Sequence, residues 1–201
     1  VNNGAHAEFV NVPPNLCAKV PNNVTDEEAA FTVISSVALQ GIRLSDPKIG
    51  ETYAVIGLGL VGLITVQLLA ANGCNVIGMD YDKSRLEMAE IFGAKTIDLS
   101  KEKSPHVVTN NLTKANGVDA VLITTATDSN APIKNASLMC KRKGKIILIG
   151  TSGLNISRNI FYEKELSFNV SCSYGPGRYD KNYEEKGFDY PFEYVRWTAQ
   201  R

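Results

Sequence analysis

From residue 51 onward, short apolar runs alternate with longer segments in which apolar positions recur at a helical period. Such runs are typical of buried strands, and the segments between them of amphipathic helices. Six strands are predicted, at residues 52–57, 74–80, 95–99, 117–126, 145–150 and 165–174. The predicted helices run from the turn after the first strand to about Asn72, over 83–93, from Ser104-Pro105 onward and over 130–142. Because strands joined through helices form right-handed β-α-β units, we expect an α/β fold with a doubly wound parallel sheet.

The two ends of the chain do not share this pattern. Residues 6–12 alternate well enough to form a strand, and the prolines that follow favour an irregular crossover. Thr25 and Glu28 have the spacing of a capping box, so a helix is predicted to start there and cover 29–44. The final residues are charged and aromatic, and a helix is predicted to begin near Pro191.

A glycine-rich turn joins the first strand to its helix. Gly57, Gly59 and Gly62 fit the pattern G-x-G-x-x-G, which is a strong signal only between a strand and a helix, as here. Gly57 permits a tight turn, Gly59 lets a pyrophosphate approach the backbone, and Gly62 lets the helix pack close to the strand. The N–H groups at the start of the helix form an anion site. The motif therefore predicts a dinucleotide-binding turn.

Asp80 ends the second predicted strand, where a carboxylate can accept hydrogen bonds from the adenosine ribose hydroxyls. Since its charge would repel a 2′-phosphate, we predict NAD rather than NADP as the cofactor. The alternative is that Asp80 only caps the turn after it. Tyr81, Lys83 and Arg85 follow as further candidates for coenzyme binding. Lys83 and Arg85 would flank the adenosine, or they only mark a solvated helix start.

The ends of two more strands should complete the binding crevice, because open parallel sheets bind ligands beyond the carboxyl ends of their strands. Thr124, Thr125 and Ala126 end the fourth predicted strand, and Ile149, Gly150 and Thr151 mark the end of the fifth. Small and polar residues there suit a ring that lies across the sheet edge. Ordinary turn chemistry is the alternative.

Composition and charge narrow the function classes. Lys plus Arg and Asp plus Glu each number 21, so a net charge of zero gives no electrostatic reason to expect nucleic acid or an anionic membrane as partner. No apolar run reaches the length of a membrane span, and no targeting leader is visible. The four cysteines form no C-x-x-C pair, and His6 and His106 lack metal-binding spacing. Reduced thiols, a cytoplasmic location and no metal site are therefore expected.

Several blocks together resemble the medium-chain dehydrogenase/reductase superfamily, with the zinc-containing alcohol, polyol and threonine dehydrogenases as the nearest branch. The blocks are AHAEFVNVPPNLCAKVPNNVTDEEAAF, GLGLVG, GMDYDKSRLEMAEIFGA and GVDAVLITTAT. The resemblance covers roughly residues 4–174 and implies that Leu60 and Val61 join the three glycines around the pyrophosphate. It also implies that four residues lie along the nicotinamide side: Thr124, Thr125, Ile149 and Gly150. It implies that 1–24 are a remnant of a GroES-like catalytic domain and 25–174 an NAD-binding Rossmann domain. FAD and S-adenosylmethionine proteins share a glycine turn but usually lack the strand and capped helix upstream.

One departure from the family concerns its zinc site. Zinc members place a Cys or Glu ligand in the helix that matches residues 29–40, where this chain has neither. A zinc site is therefore not expected in this chain. Residues 175–201 resemble the corresponding part of bacterial two-domain oxidoreductases of polysaccharide biosynthesis, and we interpret them as an extension or linker toward a missing C-terminal part. The alternative is a substrate loop formed by Gly-Pro-Gly with Arg178, Tyr179 and Asp180.

The resulting hypothesis is the coenzyme-binding portion of an NAD-dependent oxidoreductase. The parent enzyme would transfer a hydride between nicotinamide and a small alcohol or carbonyl substrate, with sugar derivatives among the candidates. Its catalytic residues are not identified, because most are expected outside these 201 residues, and the chain alone is expected to be inactive. The alternative is a non-catalytic NAD(H)-binding sensor or scaffold. A homodimer through the sheet edge is usual in the family.

Overall fold

The computed structural model describes residues 6–201. Six strands form one parallel sheet: β1 (Thr52–Ile56), β2 (Asn75–Asp80), β3 (Lys95–Asp98), β4 (Val118–Ile123), β5 (Cys140–Leu148) and β6 (Ser167–Val170). Their order across the sheet is β3-β2-β1-β4-β5-β6. The chain moves outward from β1 in one direction and from β4 in the other, so the sheet is doubly wound. The predicted α/β Rossmann architecture is confirmed.

Helices cover both faces of the sheet. They are α1 (Asp26–Ala29), α2 (Thr32–Ser45), α3 (Leu60–Ala71), α4 (Lys83–Ile91), α5 (Pro105–Leu112), α6 (Ala131–Met139), α7 (Arg158–Lys164) and α8 (Lys181–Glu184). Residues of α2, α3 and α4 pack on one face, and residues of α5, α6 and α7 on the other. None of the helices within 6–201 has both the length and the apolar character that crossing a membrane requires.

The central strands β1 and β4 are almost wholly apolar because the sheet is buried there on both sides. In β1, Tyr53 and Val55 belong to the core on one face, and Ala54 and Ile56 to the core on the other. All four side chains are buried. Successive strand residues point to opposite faces, so burial of both faces selects a continuous apolar run instead of alternation. This requirement explains why the strands were predictable from the sequence.

The predictions at the start of the chain are partly wrong. The predicted strand at 6–12 does not form, since the structure gives it no neighbouring strand to satisfy its backbone groups. The capping box is confirmed: Thr25 N donates to Glu28 Oε2 (2.9 Å), and Glu28 N donates to Thr25 Oγ1 (3.2 Å). The helix that it starts is short, however, and α2 begins as a separate helix after Phe31.

Two later predictions also need correction. The basic residues 141–143 do not end a helix but lie in β5, because the preceding Cys140 already pairs with Val118 of β4. No helix starts at Pro191; Tyr194 N and Val195 N both donate to its carbonyl in a turn. The short helices α7 and α8 were not predicted.

The last residues fold back onto the first part of the described chain. Tyr183 is 1% exposed, and its hydroxyl donates to Asn15 O (3.0 Å) while Asn15 Nδ2 donates to Tyr183 O (3.0 Å). The Tyr183 ring stacks on Tyr190 at 5.5 Å. Trp197 lies against α2, with the Arg43 guanidinium 4.2 Å from its ring centre. The domain division at residues 24 and 174 stays a prediction.

Candidate functional site

A cleft of about 380 Å³ lies at the carboxyl ends of β1, β2 and β4, where the strand order reverses. This position is the usual ligand site of doubly wound sheets, and the volume suits a small molecule. Eight residues that the sequence predicted line it: Gly57, Gly59, Asp80, Tyr81, Arg85, Thr124, Thr125 and Ala126. Eight others were missed: Ile56, Met79, Leu99, Thr127, Ser129, Ala131, Pro132 and Asn135.

The three glycines of the turn have different surroundings. Gly57 has φ +94°, and a Cβ there would lie 2.9 Å from Thr125 Cγ2. A Cβ on Gly62 would lie 1.9 Å from the carbonyl oxygen of Gly57. A Cβ on Gly59 would meet no atom within 4 Å. Two glycines are therefore required by the protein itself, and the third leaves open space at the start of α3.

The turn is bonded to the strands on both sides of β1. Gly57 N donates to Met79 O of β2 (2.8 Å), and Leu58 N donates to Asp80 Oδ2 (2.7 Å). From the β4 side, the Thr124 hydroxyl lies 2.5 Å from Gly57 O and 3.1 Å from Ile56 O. The hydroxyl of Thr124 is thus directed at the glycine turn.

Asp80 is 7% exposed, and its carboxylate accepts hydrogen bonds from three backbone N–H groups. Oδ1 accepts from Tyr81 N (2.8 Å) and Asp82 N (3.0 Å), and Oδ2 accepts from Leu58 N. The geometry of a turn cap is therefore present, and the same carboxylate also lines the cleft. A carboxylate has about four acceptor positions, and the three backbone N–H groups use three of them. One acceptor position therefore remains for a ligand.

The residues after Asp80 differ in their relation to the cleft. Arg85 lines it, with Nη1 at 3.6 Å from Asp80 Oδ2 and Nε at 3.8 Å from Asp82 Oδ2. Hydrogen bonds from Ser84 lower the pKa of Asp82, so it stays charged opposite Arg85. Lys83 does not line the cleft; it is exposed and pairs with Glu87 at 3.3 Å.

The remaining predicted residues lie near the cleft without lining it. Leu60 and Val61 form the first turn of α3 with Gly62, and Leu60 is 53% exposed. Ile149 packs against Gly41 of α2, where a Cβ would be 2.3 Å from Ile149 Cδ1. Gly150 lies against the segment that follows β4, since a Cβ there would be 2.0 Å from Thr125 O. Because Gly150 has no side chain, its backbone can contact the backbone of Thr125.

Metal-binding side chains do not cluster in the part of the chain that the structure describes. Within residues 6–201, no three His, Cys, Asp or Glu side chains are close enough to hold a metal ion. Cys17 and Cys172 are exposed, Cys74 and Cys140 are buried, and all four are free. Burial raises the pKa of Cys140 to about 12. The described residues do not fit a zinc site.

Known proteins resemble this chain in sequence and in structure. The zinc-binding dehydrogenase family matches residues 61–188. An alcohol dehydrogenase of Geobacillus stearothermophilus is 29% identical over 159 residues, which are 79% of this chain and 46% of that protein. The sorbitol dehydrogenase of Bacillus subtilis (strain 168) is 27% identical over 189 residues, 93% of this chain and 52% of that protein. The chain thus spans about half the length of these relatives.

Solved structures show the same relation. The 2R,3R-butanediol dehydrogenase of Bacillus subtilis superposes with a TM-score of 0.73 at 26% identity, over 79% of this chain and 46% of that one. A short chain alcohol dehydrogenase of E. coli CFT073 complexed with NADH gives 0.69 at 26% identity, with 77% and 46% covered. A zinc-binding dehydrogenase of Sinorhizobium meliloti 1021 bound to NADP gives 0.67 at 26% identity, with 76% and 46% covered.

Proposed function

This chain belongs to the zinc-binding dehydrogenase family, and from that premise we propose that it is the coenzyme-binding part of a nicotinamide-dependent oxidoreductase. The observation that carries the proposal is the space beside Gly59. Protein atoms crowd the Cβ positions of Gly57 and Gly62, whereas that of Gly59 is open and the residue lines the cleft. An open glycine at a helix start is what close approach of a diphosphate to the backbone requires.

The residues around the cleft fit an extended dinucleotide. Gly59 is the N-cap of α3 and makes no side-chain cap, so the N–H groups of the first helical turn are available to phosphate oxygens. At one side of the turn, the Asp80 carboxylate would accept from the ribose. The bound coenzyme would supply the hydride chemistry at its nicotinamide. This chain would bind and orient the coenzyme.

We propose NAD as the preferred coenzyme. A 2′-phosphate would bring negative charge next to Asp80, which is 7% exposed and therefore poorly screened by water. Arg85 is the only cation that lines the cleft, within the part of the chain that the structure describes. The Arg85 guanidinium forms ion pairs with both Asp80 and Asp82, so two carboxylates already balance its charge. The local field thus supports a ribose diol over a phosphate.

For the whole protein, we propose hydride transfer to or from a small alcohol or carbonyl substrate. The support is the family, together with relatives named alcohol and sorbitol dehydrogenases. Since this chain spans about half their length, we expect it to bind coenzyme without turnover. We propose further a homodimer through the edge strand β6, whose Asn169 and Val170 are exposed. Four free thiols support a cytoplasmic location.

A titration with NADH and NADPH tests the coenzyme site. We expect NADH to bind with the larger affinity, and Asp80→Asn to reduce its advantage over NADPH by about tenfold, the effect of one charged contact. Asp98→Asn is the matched control, because Asp98 ends the neighbouring strand β3 but does not line the cleft. Failure of both nucleotides to bind the native chain would refute the proposed function, and an unchanged ratio in Asp80→Asn would refute the preference.

A further inference from the structure

One peptide group in the glycine turn is hydrogen-bonded at both ends by side chains from opposite neighbours of β1. The C=O of Gly57 accepts from Thr124 Oγ1 at 2.5 Å, on the β4 side. The N–H of Leu58, which belongs to the same peptide, donates to Asp80 Oδ2 at 2.7 Å, on the β2 side. Since β1 lies between β2 and β4, the two side chains hold this peptide from opposite directions.

From this geometry we propose that Thr124 is a positioning residue for the diphosphate turn. The inference rests on the proposed coenzyme site. A peptide group is planar, so bonds to its C=O and its N–H fix the orientation of the whole unit. Gly57, at φ +94°, has wide conformational freedom, and sterics alone do not select one orientation of the peptide that follows it.

The orientation of this peptide matters because the chain runs directly from it into the start of α3. Gly59 is the next residue, and the first turn of the helix begins at Leu60. Rotation of the 57–58 peptide would redirect the N–H groups that follow it. Preorganised donors bind an anion without the cost of ordering them on binding. Thr124 therefore acts on diphosphate affinity through the backbone.

The hydroxyl of Thr124 is not needed to pair the strands. Thr124 N already donates to Ile56 O at 2.9 Å, which joins β4 to β1 through the backbone. The hydroxyl has a single proton, and its shorter contact is the one to Gly57 O. Removal of the hydroxyl would thus leave the sheet intact and release one end of the peptide.

The test compares ligands with and without a diphosphate. Thr124→Val keeps the side-chain volume and removes the hydroxyl, and Thr124→Ser keeps the hydroxyl. Affinities for ADP and adenosine are measured by calorimetry on the 201-residue chain. We expect Thr124→Val to weaken ADP binding about five- to tenfold, with adenosine changed less than about twofold, and Thr124→Ser to restore ADP binding.

Thr109→Val controls for the loss of a buried hydroxyl. Thr109 is fully buried in α5, where its Oγ1 donates to Pro105 O at 2.9 Å, and it does not line the cleft. We expect it to leave both affinities unchanged. Equal weakening of ADP and adenosine in Thr124→Val, an unaltered ADP affinity, or failure of Thr124→Ser to restore it would each overturn the positioning role.

A measurement without ligand separates this inference from the proposed function. Amide hydrogen exchange of Leu58 should be faster in Thr124→Val than in the native chain, and Thr124→Ser should match the native rate. Unchanged exchange at Leu58 in Thr124→Val would refute the inference even if the coenzyme binds. If the native chain binds no ADP, the proposed function fails, and the Leu58 amide still decides whether Thr124 orients the turn.

Discussion

Replacement of Gly62 by Ala should destabilise the fold, because the added methyl group has no room. The Cβ would lie 1.9 Å from Gly57 O, whereas Cβ contacts under 3.0 Å essentially do not occur in proteins. The Gly57 carbonyl must therefore retreat by about 1.1 Å, the difference between those two distances. A shift of that size along the Leu58 N–Asp80 Oδ2 bond would lengthen it from 2.7 Å to about 3.8 Å, beyond hydrogen-bonding range.

The expected loss of stability follows from these contacts. Overpacking costs about 1–3 kcal/mol, and a hydrogen bond to a charged group contributes about 1.5–3 kcal/mol. Replacing Gly by Ala in a helix returns up to about 1 kcal/mol. The net expectation for Gly62→Ala is a loss of roughly 3 kcal/mol. For a chain of this size, that lowers the melting temperature by about 6–12 °C.

Gly59→Ala is the matched variant in the same turn. Gly59 has φ −66°, which alanine adopts without strain, and its Cβ would meet no protein atom within 4 Å. We expect its stability to stay within about 1 kcal/mol of the native chain, since alanine is only a poorer N-cap than glycine. The methyl group would occupy the space assigned to the diphosphate, and NADH affinity should fall at least about tenfold.

Two measurements check this pair of variants: thermal unfolding followed by circular dichroism, and NADH titration of the folded proteins. We expect Gly62→Ala to lose stability and Gly59→Ala to lose NADH binding. If Gly62→Ala keeps the native melting temperature, Gly62 is not required for packing. If Gly59→Ala binds NADH as the native chain does, the open space beside Gly59 is not the diphosphate site.

Two further predictions concern parts of the molecule away from the cleft. Lys164→Met should destabilise the chain by about 1–3 kcal/mol in urea unfolding, because Lys164 Nζ donates to three carbonyls around the end of α6 at 2.7–2.9 Å; a loss below about 0.5 kcal/mol would contradict this role. Iodoacetamide at pH 8 should modify the exposed Cys17 and Cys172 in the folded chain, and Cys140 only in urea. Burial raises the pKa of Cys140 to about 12, so little of its reactive thiolate is present at pH 8. Mass spectrometry would identify the labelled positions, and labelling of native Cys140 at the rate of Cys172 would refute the prediction.

The sheet was predictable because burial on both faces leaves a simple signal. Runs such as the one in β1 contain almost only apolar residues, and each is bounded by turn residues. The boundary between α6 and β5 was not predictable in this way. Lys141 to Lys143 suit the end of a helix by charge, and only the pairing of Cys140 with β4 shows that the helix has already ended. Tertiary contact overrides local preference there.

The residues of the candidate site also differ in whether the sequence could predict them. The glycines and Asp80 were found because their spacing relative to a strand and a helix carries the signal. Leu99, Pro132 and Asn135 were missed because they come from segments that only the strand order brings together. The direction of the Thr124 hydroxyl was also beyond the sequence, since it depends on the register between β1 and β4.

Trp197 is the single tryptophan of the chain, and its surroundings give it a use as an optical reporter. It is 41% exposed, and the guanidinium groups of Arg43 in α2 and of Arg196 lie 4.2 Å and 4.9 Å from its ring centre. Its emission in the coenzyme-free chain should therefore report the contact between residues 174–201 and α2. A change in that emission would show detachment of the C-terminal segment before the sheet itself unfolds.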